Sequence, residues 1–203
     1  MHLKIVQAGN PVLRQRARAL SRAEITSRET QELIEWMRDT MHDAPGVGLA
    51  APQVGVGLQL AVIEDKPEYH RDVPMKFLEE RERKPVPFHV IINPTITLLE
   101  GAQPEFFEAC LSLTGFTAVV ARARSVRVEC LDHRGEPTTI EACGWYARIL
   151  QHEIDHLQGT LYIDRMYARS FTSADNFSRH WREKPMAEVA GALGFTATAR
   201  TVR

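Results

Sequence analysis

The segment Gln151–Gly159 contains two histidines and a glutamate whose types and spacing suit metal chemistry. His152 and His156 are four residues apart, so on an α-helix their side chains would lie on one face, one turn apart. Neutral imidazole is a common ligand of zinc, iron and nickel. Glu153 would lie close enough to accept a proton from a water on that metal without binding the metal itself. The segment therefore predicts a hydrolytic metal site on a helix.

The apolar residues around this H-E-x-x-H motif predict that the helix lies in the protein core. Trp145 and Ile149 precede the histidines on the same helical stripe, and Leu150, Ile154 and Leu157 form a second apolar stripe. A helix that is apolar on most of its surface belongs in a core, where two unpartnered histidines would be costly. This disfavours the alternative of a surface helix that carries two solvated histidines.

The composition is that of an ordinary globular protein. The chain has 203 residues, of which 44% are hydrophobic and 25% charged, enough for one domain with a sizeable core. The net charge of -1 gives no electrostatic footprint for nucleic acid or an anionic membrane. No apolar run approaches the roughly 20 residues of a membrane span. The three cysteines and the absence of an apolar leader indicate a reducing, cytoplasmic compartment.

Shorter patterns predict the elements that must position the metal helix. A capping box at Thr26–Glu29 predicts the start of the first helix in the chain. A further short helix, after the metal helix, is expected over residues 175–182. Residues 9–14 predict a turn followed by an extended segment. The charged, proline-rich segment 64–88 predicts a surface excursion with one helical turn, and 196–203 a frayed tail. Strands are predicted at residues 58–63, 90–94, 95–99, 119–128, 127–131 and 138–142.

Two further segments carry residues with chemical potential. The amide of Gln53, in the small-residue stretch 46–55, could donate to a developing oxyanion, although a tight structural turn is the plainer interpretation of that stretch. Two histidines leave a catalytic metal short of a third ligand, and the thiolate of Cys110 could supply it. Taken alone, a free cysteine is more often a small buried apolar residue.

Taken together, three segments resemble the ordered motifs of the peptide deformylase family. G-V-G-L-A-A-P-Q (46–53), E-A-C-L-S (108–112) and Q-H-E-I-D-H (151–156) are similar to the family patterns G-φ-G-φ-A-A-x-Q, E-G-C-φ-S and Q-H-E-x-D-H, where φ is hydrophobic. Their order and spacing match, and the resemblance covers residues 1–166. The segment Gly144–Arg148 resembles the mitochondrial-type branch. Three motifs together are far more specific than H-E-x-x-H alone.

This resemblance implies a fold and a set of residue roles. The fold would be α+β, with antiparallel β-sheets wrapped around a central metal-binding helix, in a single domain with its core in 1–166 and an extension at 167–203. Glu153 would act as general base and then general acid. The implied metal ligands are Cys110, His152 and His156, the oxyanion donors are the Gln53 side chain and the Leu111 backbone N–H, and the substrate contacts are Val47, Gly48, Ala109, Trp145 and Ile149.

The resemblance also implies the reaction and its partners. The family removes the N-formyl group from the initiator methionine of nascent polypeptides and releases formate. One divalent metal ion is required, commonly Fe2+, and Zn2+, Ni2+ or Co2+ can substitute. The implied partners are formyl-methionyl nascent chains and, transiently, the ribosome, in a cytoplasmic bacterial enzyme that is a monomer or homodimer and binds neither nucleic acid nor membrane.

Two departures from the family pattern and two competing interpretations bear on this hypothesis. Ala109 stands where the family usually has glycine, which would strain a left-handed backbone but not an extended one. Residues 113–116 lack a proline that many bacterial members carry. A zincin-type metallopeptidase also uses H-E-x-x-H, but the longer H-E-x-x-H-x-x-G-x-x-H pattern is absent. The other alternative is a non-catalytic binder that keeps the fold.

Overall fold

Two antiparallel sheets, six α-helices and several short 3-10 helices make up the computed structural model, which describes residues 2–195. The predicted frayed tail at 196–203 lies outside the described residues. The helices are α1 (Arg22–Ile25), α2 (Arg28–Asp43), α3 (Met75–Glu80), α4 (Gly144–Leu157), α5 (Ala174–His180) and α6 (Met186–Leu193). The strands are β1 (Gly48–Ala50), β2 (Leu60–Asp65), β3 (Val86–Leu98), β4 (Glu105–Ala109), β5 (Phe116–Ala121), β6 (Ser125–Leu131), β7 (Pro137–Cys143) and β8 (Thr172–Ser173).

The larger sheet, in the order β1-β2-β3-β6-β7, is covered on both faces. Ala61 and Ile63 of β2 face the core that contains α4, whereas Leu60 and Val62 face the core that contains α2. Because both faces are buried, this strand is a continuous apolar run and not an alternating one. The helix α4 thus lies against one face of the larger sheet, which confirms the predicted α+β architecture around a central helix.

The smaller sheet, in the order β4-β5-β8, carries the cysteine motif and the C-terminal helices. Cys110 directly follows β4. Phe107 and Val119 of this sheet pack against Val189 of α6 and Phe177 of α5. The predicted helix over 175–182 is therefore present as α5, whereas α6 was not predicted. The two sheets bring the cysteine motif and α4 to the same place.

The predicted start of the first long helix was wrong by one residue and missed a short helix. Ser27, not Thr26, caps α2 by accepting a hydrogen bond from the Thr30 N–H. The capping box belongs to α1, where Ser21 and Glu24 satisfy each other's backbone N–H groups. Thr26 ends α1 in a helical conformation (φ -84°, ψ 0°), so it cannot also have the extended backbone of an N-cap.

The two strands predicted at 90–94 and 95–99 are in fact the single 13-residue strand β3. Asn93 adopts φ 51° and produces a bulge, after which β3 leaves β2 and pairs with β6. The side chain of Asn93 satisfies the backbone of Leu20, accepting from its N–H at 2.9 Å and donating to its carbonyl at 2.7 Å. The Asn-Pro pair therefore marks a bulge here and not a turn.

The amino-terminal segment and the charged excursion also have defined structures. Pro11–Arg14 forms a 3-10 helix capped by the side chain of Asn10, so the predicted extended segment there was wrong. The excursion after β2 contains the 3-10 turn Pro67–His70 and the short helix α3, as the sequence predicted. No helix among residues 2–195 is long and apolar enough to cross a membrane.

Candidate active site

The three predicted metal ligands meet between the smaller sheet and α4. Their ligand atoms all lie within 4.8 Å of one another, and Cys110 Sγ is 3.2 Å from His156 Nε2. His156 is fully buried and His152 is half-buried. The two histidines are adjacent because they occupy successive turns of α4. Cys110 reaches them only because β4 pairs with β5 and ends beside the helix.

This group of side chains fits a divalent metal ion. Ligands at 2.0–2.3 Å from one zinc-like ion lie about 3.3–3.8 Å apart in a tetrahedron, which small side-chain adjustments within the observed 4.8 Å cluster satisfy. One thiolate and two imidazoles form a borderline-soft donor set that suits zinc, iron, cobalt or nickel. Three protein ligands leave a fourth position open, which is typical of catalytic and not of structural sites.

A buried carboxylate orients the first histidine. His152 Nδ1 donates to Glu108 Oε2 at 3.1 Å, which leaves Nε2 to face the metal position. Arg122 donates two hydrogen bonds to Glu108, from Nε to Oε1 and from Nη2 to Oε2, both at 2.9 Å. Arg148 Nη1 donates a third to Glu108 Oε1 at 2.6 Å. Burial opposes ionisation of Glu108, but Arg122, the His152 hydrogen bond and Arg148 hold its pKa well below its usual value.

The charged network extends from Glu108 to a second carboxylate. Arg122 also donates to Asp155, which accepts two further hydrogen bonds from Arg165. The sequence analysis did not identify Arg148 as part of the site, although it lies four residues before His152 and so on the same face of the helix. A lone arginine on the apolar face of a predicted core helix was the available signal, because a buried cation requires a carboxylate partner.

Glu153 is buried beside the metal ligands. Its Oε2 has no hydrogen-bond partner among the described residues. Burial raises the pKa of Glu153 to about 7, against the opposing influence of His152. Gly48 makes room for this carboxylate, since a Cβ at position 48 would lie 2.3 Å from Glu153 Oε1. The second glycine of the small-residue motif is therefore a steric requirement of Glu153.

Two hydrogen-bond donors lie next to Cys110, namely the Gln53 amide and the Leu111 backbone N–H. Ala50 N–H donates to Gln53 Oε1 at 2.8 Å, which fixes the orientation of the amide and directs its NH2 group toward Cys110 Sγ at 3.5 Å. The Leu111 backbone N–H, next to that cysteine, donates to no group within residues 2–195. An amide NH2 and a free backbone N–H beside a metal position could stabilise a developing oxyanion.

A cavity of about 490 Å³ leads away from these groups. All five predicted substrate contacts line it, namely Val47, Gly48, Ala109, Trp145 and Ile149. Ala109 belongs to β4 and has no positive φ, so alanine in place of the usual glycine causes no backbone strain. Arg81 and Arg148 also line the cavity and were not predicted from the sequence.

Comparisons with known proteins agree with this geometry. The sequence model of the family described as "Polypeptide deformylase" matches residues 2–171. The chain is 46% identical to peptide deformylase 3 of Streptomyces avermitilis over 193 residues, which is 95% of this chain and 84% of that protein. It is 40% identical to the human mitochondrial peptide deformylase over 169 residues, which is 83% of this chain and 70% of that protein.

The fold agrees with solved structures as well. The class I type b peptide deformylase of Acinetobacter baumannii, crystallised with Met-Ala-Ser, superposes with a TM-score of 0.72 at 30% identity. That match covers 82% of this chain and 99% of the other. These similarities leave no support for the zincin alternative. The chain belongs to the polypeptide deformylase family, whose members are metal-dependent hydrolases that remove the N-formyl group from nascent polypeptides.

Proposed function

We propose that the residues gathered around the histidines of α4 carry out this deformylase reaction, the hydrolysis of N-formyl-methionyl peptides to formate and a free amino terminus. The observation that carries the proposal is the convergence of Cys110, His152 and His156 within 4.8 Å beside the buried carboxylate of Glu153, whose Oε2 has no hydrogen-bond partner in the described part of the chain. A cavity large enough for a peptide end opens onto this group.

Cys110, His152 and His156 would hold one divalent metal ion, and we propose Fe2+ as the metal in the cell, with Zn2+, Ni2+ or Co2+ able to replace it. When bound, the ion supplies a Lewis acid and lowers the pKa of a coordinated water toward about 7. The thiolate and imidazole donors support this choice over Mg2+ or Ca2+, which prefer oxygen ligands.

Three residues of the chain perform the remaining steps. Glu153 accepts a proton from the attacking water and later donates a proton to the leaving amine. The Gln53 amide and the Leu111 backbone N–H donate hydrogen bonds to the oxygen of the formyl group as negative charge develops there. Glu108 keeps His152 in the tautomer and orientation that a ligand needs.

The substrate backbone would add to the sheet edges that line the cavity. β1 is an edge strand of the larger sheet, and the carbonyl of Val47, just before it, already accepts a hydrogen bond from the Glu64 N–H. The alternation of an antiparallel pair then leaves the backbone groups of Gly48 available to pair with an extended peptide that runs beside Val47. Ala109, at the end of β4, faces the same cavity. Trp145 and Ile149 would contact the methionine side chain, since both line the cavity on the helix side.

The experiment that tests this function is formate release from a formyl-Met-Ala-Ser peptide. The protein would be purified without oxygen to protect a ferrous site, and its metal content measured before the assay. We expect about one metal ion per chain and one formate per free amino terminus. Cleavage of the peptide without formate release, or binding without turnover, would contradict the proposal.

Replacing Gln53 by leucine should lower kcat for formate release by about 10²–10³-fold, because one oxyanion donor is lost. Metal content should not change, since the Gln53 amide nitrogen approaches Cys110 Sγ only at 3.5 Å and does not bind the ion. The exposed Gln158 is the matched control, and its replacement by leucine should leave kcat unchanged. A Gln53→Leu enzyme with normal kcat would remove this residue from the oxyanion site.

Substrates that vary the first side chain test the roles of Trp145 and Ile149. Norleucine has nearly the size of methionine, so its kcat/KM should lie within a few-fold of methionine, whereas formyl-alanyl peptides should lose about 100-fold or more. Each methylene in an apolar pocket is worth about 1–3 kcal/mol. Initial rates at low substrate concentration give kcat/KM directly. Equal values for the three substrates would exclude an apolar side-chain pocket.

We further propose a cytoplasmic enzyme in a single catalytic domain, with residues 167–203 as a C-terminal extension that permits transient ribosome contact. The packing of α5 and α6 against Phe107 and Val119 supports the single domain. A monomer or homodimer is expected. Co-sedimentation of the full chain with ribosomes would check the ribosome contact, and light scattering would check the oligomeric state.

A further inference from the structure

Arg81, in the charged excursion between β2 and β3, lines the cavity but has no role in the proposed reaction. Its guanidinium carbon lies 5.2 Å from the centre of the Trp145 ring and 5.6 Å from that of Phe106. Guanidinium groups at this distance from aromatic faces are attracted by the ring quadrupole. Arg81 lines the same cavity as the metal ligands, so it is available to a bound peptide.

The excursion holds Arg81 in a fixed place. Gly144, the first residue of α4, has φ 60°, and a Cβ there would lie 2.5 Å from the Glu82 Cβ and 2.9 Å from the Arg81 carbonyl oxygen. The backbone at 81–82 can therefore pack directly on the start of α4. Glu82 accepts two hydrogen bonds from Arg124, at 2.6 and 2.8 Å. Arg83 donates two to Asp65, both at 2.8 Å.

Arg81 differs from its cationic neighbours because it has no carboxylate partner among residues 2–195. Four nearby arginines each pair with a carboxylate. They are Arg83, Arg122, Arg124 and Arg148. The Arg81 side chain makes no hydrogen bond or ion pair with any residue in the described range 2–195, and its Nε is buried without an acceptor. Burial also lowers the pKa of Arg81, which indicates that the charge is incompletely solvated.

Strand geometry indicates which substrate residue reaches Arg81. Trp145 and His152 are seven residues apart on α4, which is about 10 Å along the helix axis. In an extended peptide with its formyl group at the metal position, the third Cα lies about 9–10 Å from the formyl carbon. Side chains of the first and third residues point to the same face. A first side chain that packs on Ile149 and reaches Trp145 therefore places the third beside Arg81, which lies against the same ring.

We propose that Arg81 is a specificity-determining residue that binds an acidic side chain at the third position of the formyl-methionyl substrate. This inference rests on the proposed function, because the metal position and strand-like binding fix where the third residue lies. A guanidinium presents N–H donors in a fork that matches a carboxylate. A lysine at the third position would instead meet a like charge.

The test uses formyl-Met-Ala-Xaa peptides with a C-terminal amide, so that the side chain of Xaa carries the only variable charge. With Xaa as glutamate, glutamine or lysine, the wild-type enzyme should prefer glutamate over lysine by about tenfold in kcat/KM. The difference should lie in KM and should shrink as salt is added. Arg81→Gln should reduce the preference to less than about twofold, and Arg81→Glu should reverse it.

Controls separate charge recognition from packing. Arg71 lies in the same excursion, is exposed and pairs with Glu68 at 3.7 Å, so Arg71→Gln should keep the wild-type preference. Arg81→Lys keeps the charge without the planar fork and should retain part of the preference, which covers the case in which Arg81→Gln unfolds. Formyl-Met-Xaa-Ala amides should show no preference that depends on Arg81.

Three results would overturn the inference. The first is an unchanged preference in Arg81→Gln and Arg81→Glu, and the second is an Arg81-dependent preference at the second position instead of the third. The third is equal turnover of all three peptides by the wild type, which would leave Arg81 as a packing residue of the wall. The absence of formate from every peptide would overturn the proposed function and this inference with it.

Discussion

Glu153→Gln is expected to lower kcat for formate release by about 10³-fold while the metal ion stays bound. Glutamine has the size of glutamate, but its amide cannot accept a proton from the attacking water. General acid–base groups typically contribute about 10²–10⁴-fold. The metal should remain because the ligand cluster consists of Cys110, His152 and His156 and does not include Glu153.

The measurement combines elemental analysis, formate release and thermal unfolding of the same preparations. The exposed Glu141 provides the matched control, and Glu141→Gln should have wild-type kcat, metal content and Tm. Loss of metal in Glu153→Gln would identify Glu153 as a ligand instead of a proton acceptor. Wild-type turnover in Glu153→Gln would remove the general base from the mechanism and transfer that role to another group.

Loss of the metal ion, by chelation or by Cys110→Ala, is expected to abolish formate release to the background of the assay. In the wild type, returning Fe2+, Ni2+ or Zn2+ after chelation should restore activity to a level that depends on the metal. In Cys110→Ala it should not, because two imidazoles alone leave the site one ligand short. Without the ion, the buried cluster has thiol and imidazole groups with no common partner, so Tm should fall as well.

The other two cysteines make this a controlled comparison. Cys143 is exposed and Cys130 is buried, and neither belongs to the ligand cluster. Cys143→Ala should retain metal, activity and Tm, and Cys130→Ala should retain metal and activity with a cost in stability alone. A Cys110→Ala protein that keeps one ion per chain and turns over substrate would show that the thiolate is not a ligand.

The helix and its two histidines could be predicted from the sequence because their information is local. An i, i+4 pair on a helix has one geometry, and the apolar stripes through Leu150, Ile154 and Leu157 indicate that the helix is buried. The resemblance of three motifs then identified Gln53 and Cys110 as site residues. Spacing alone could not have done so, because Cys110 lies 42 residues before His152 along the chain.

The errors in the predicted elements share one physical cause. Asn93-Pro94 has the local signature of a turn, but the strand continues through a bulge because β2 and β6 pair with its two halves. Thr26 has the local signature of a cap, but α1 already uses its backbone and Ser27 takes the position. In each case the choice between two locally acceptable conformations depends on structure outside the short motif, which is a pair of strands distant in sequence for Asn93 and the adjoining helix α1 for Thr26.

The sequence alone determined the chemistry of the site, since a thiol, two imidazoles, a carboxylate and an amide are fixed by residue type. The tertiary structure decided how that chemistry is supported. Arg148 joins Arg122 on Glu108, Gly48 makes space for Glu153, and Arg81 reaches the cavity from the excursion. These contacts depend on sheet register and on close packing between distant segments, which periodicity and local propensity do not encode.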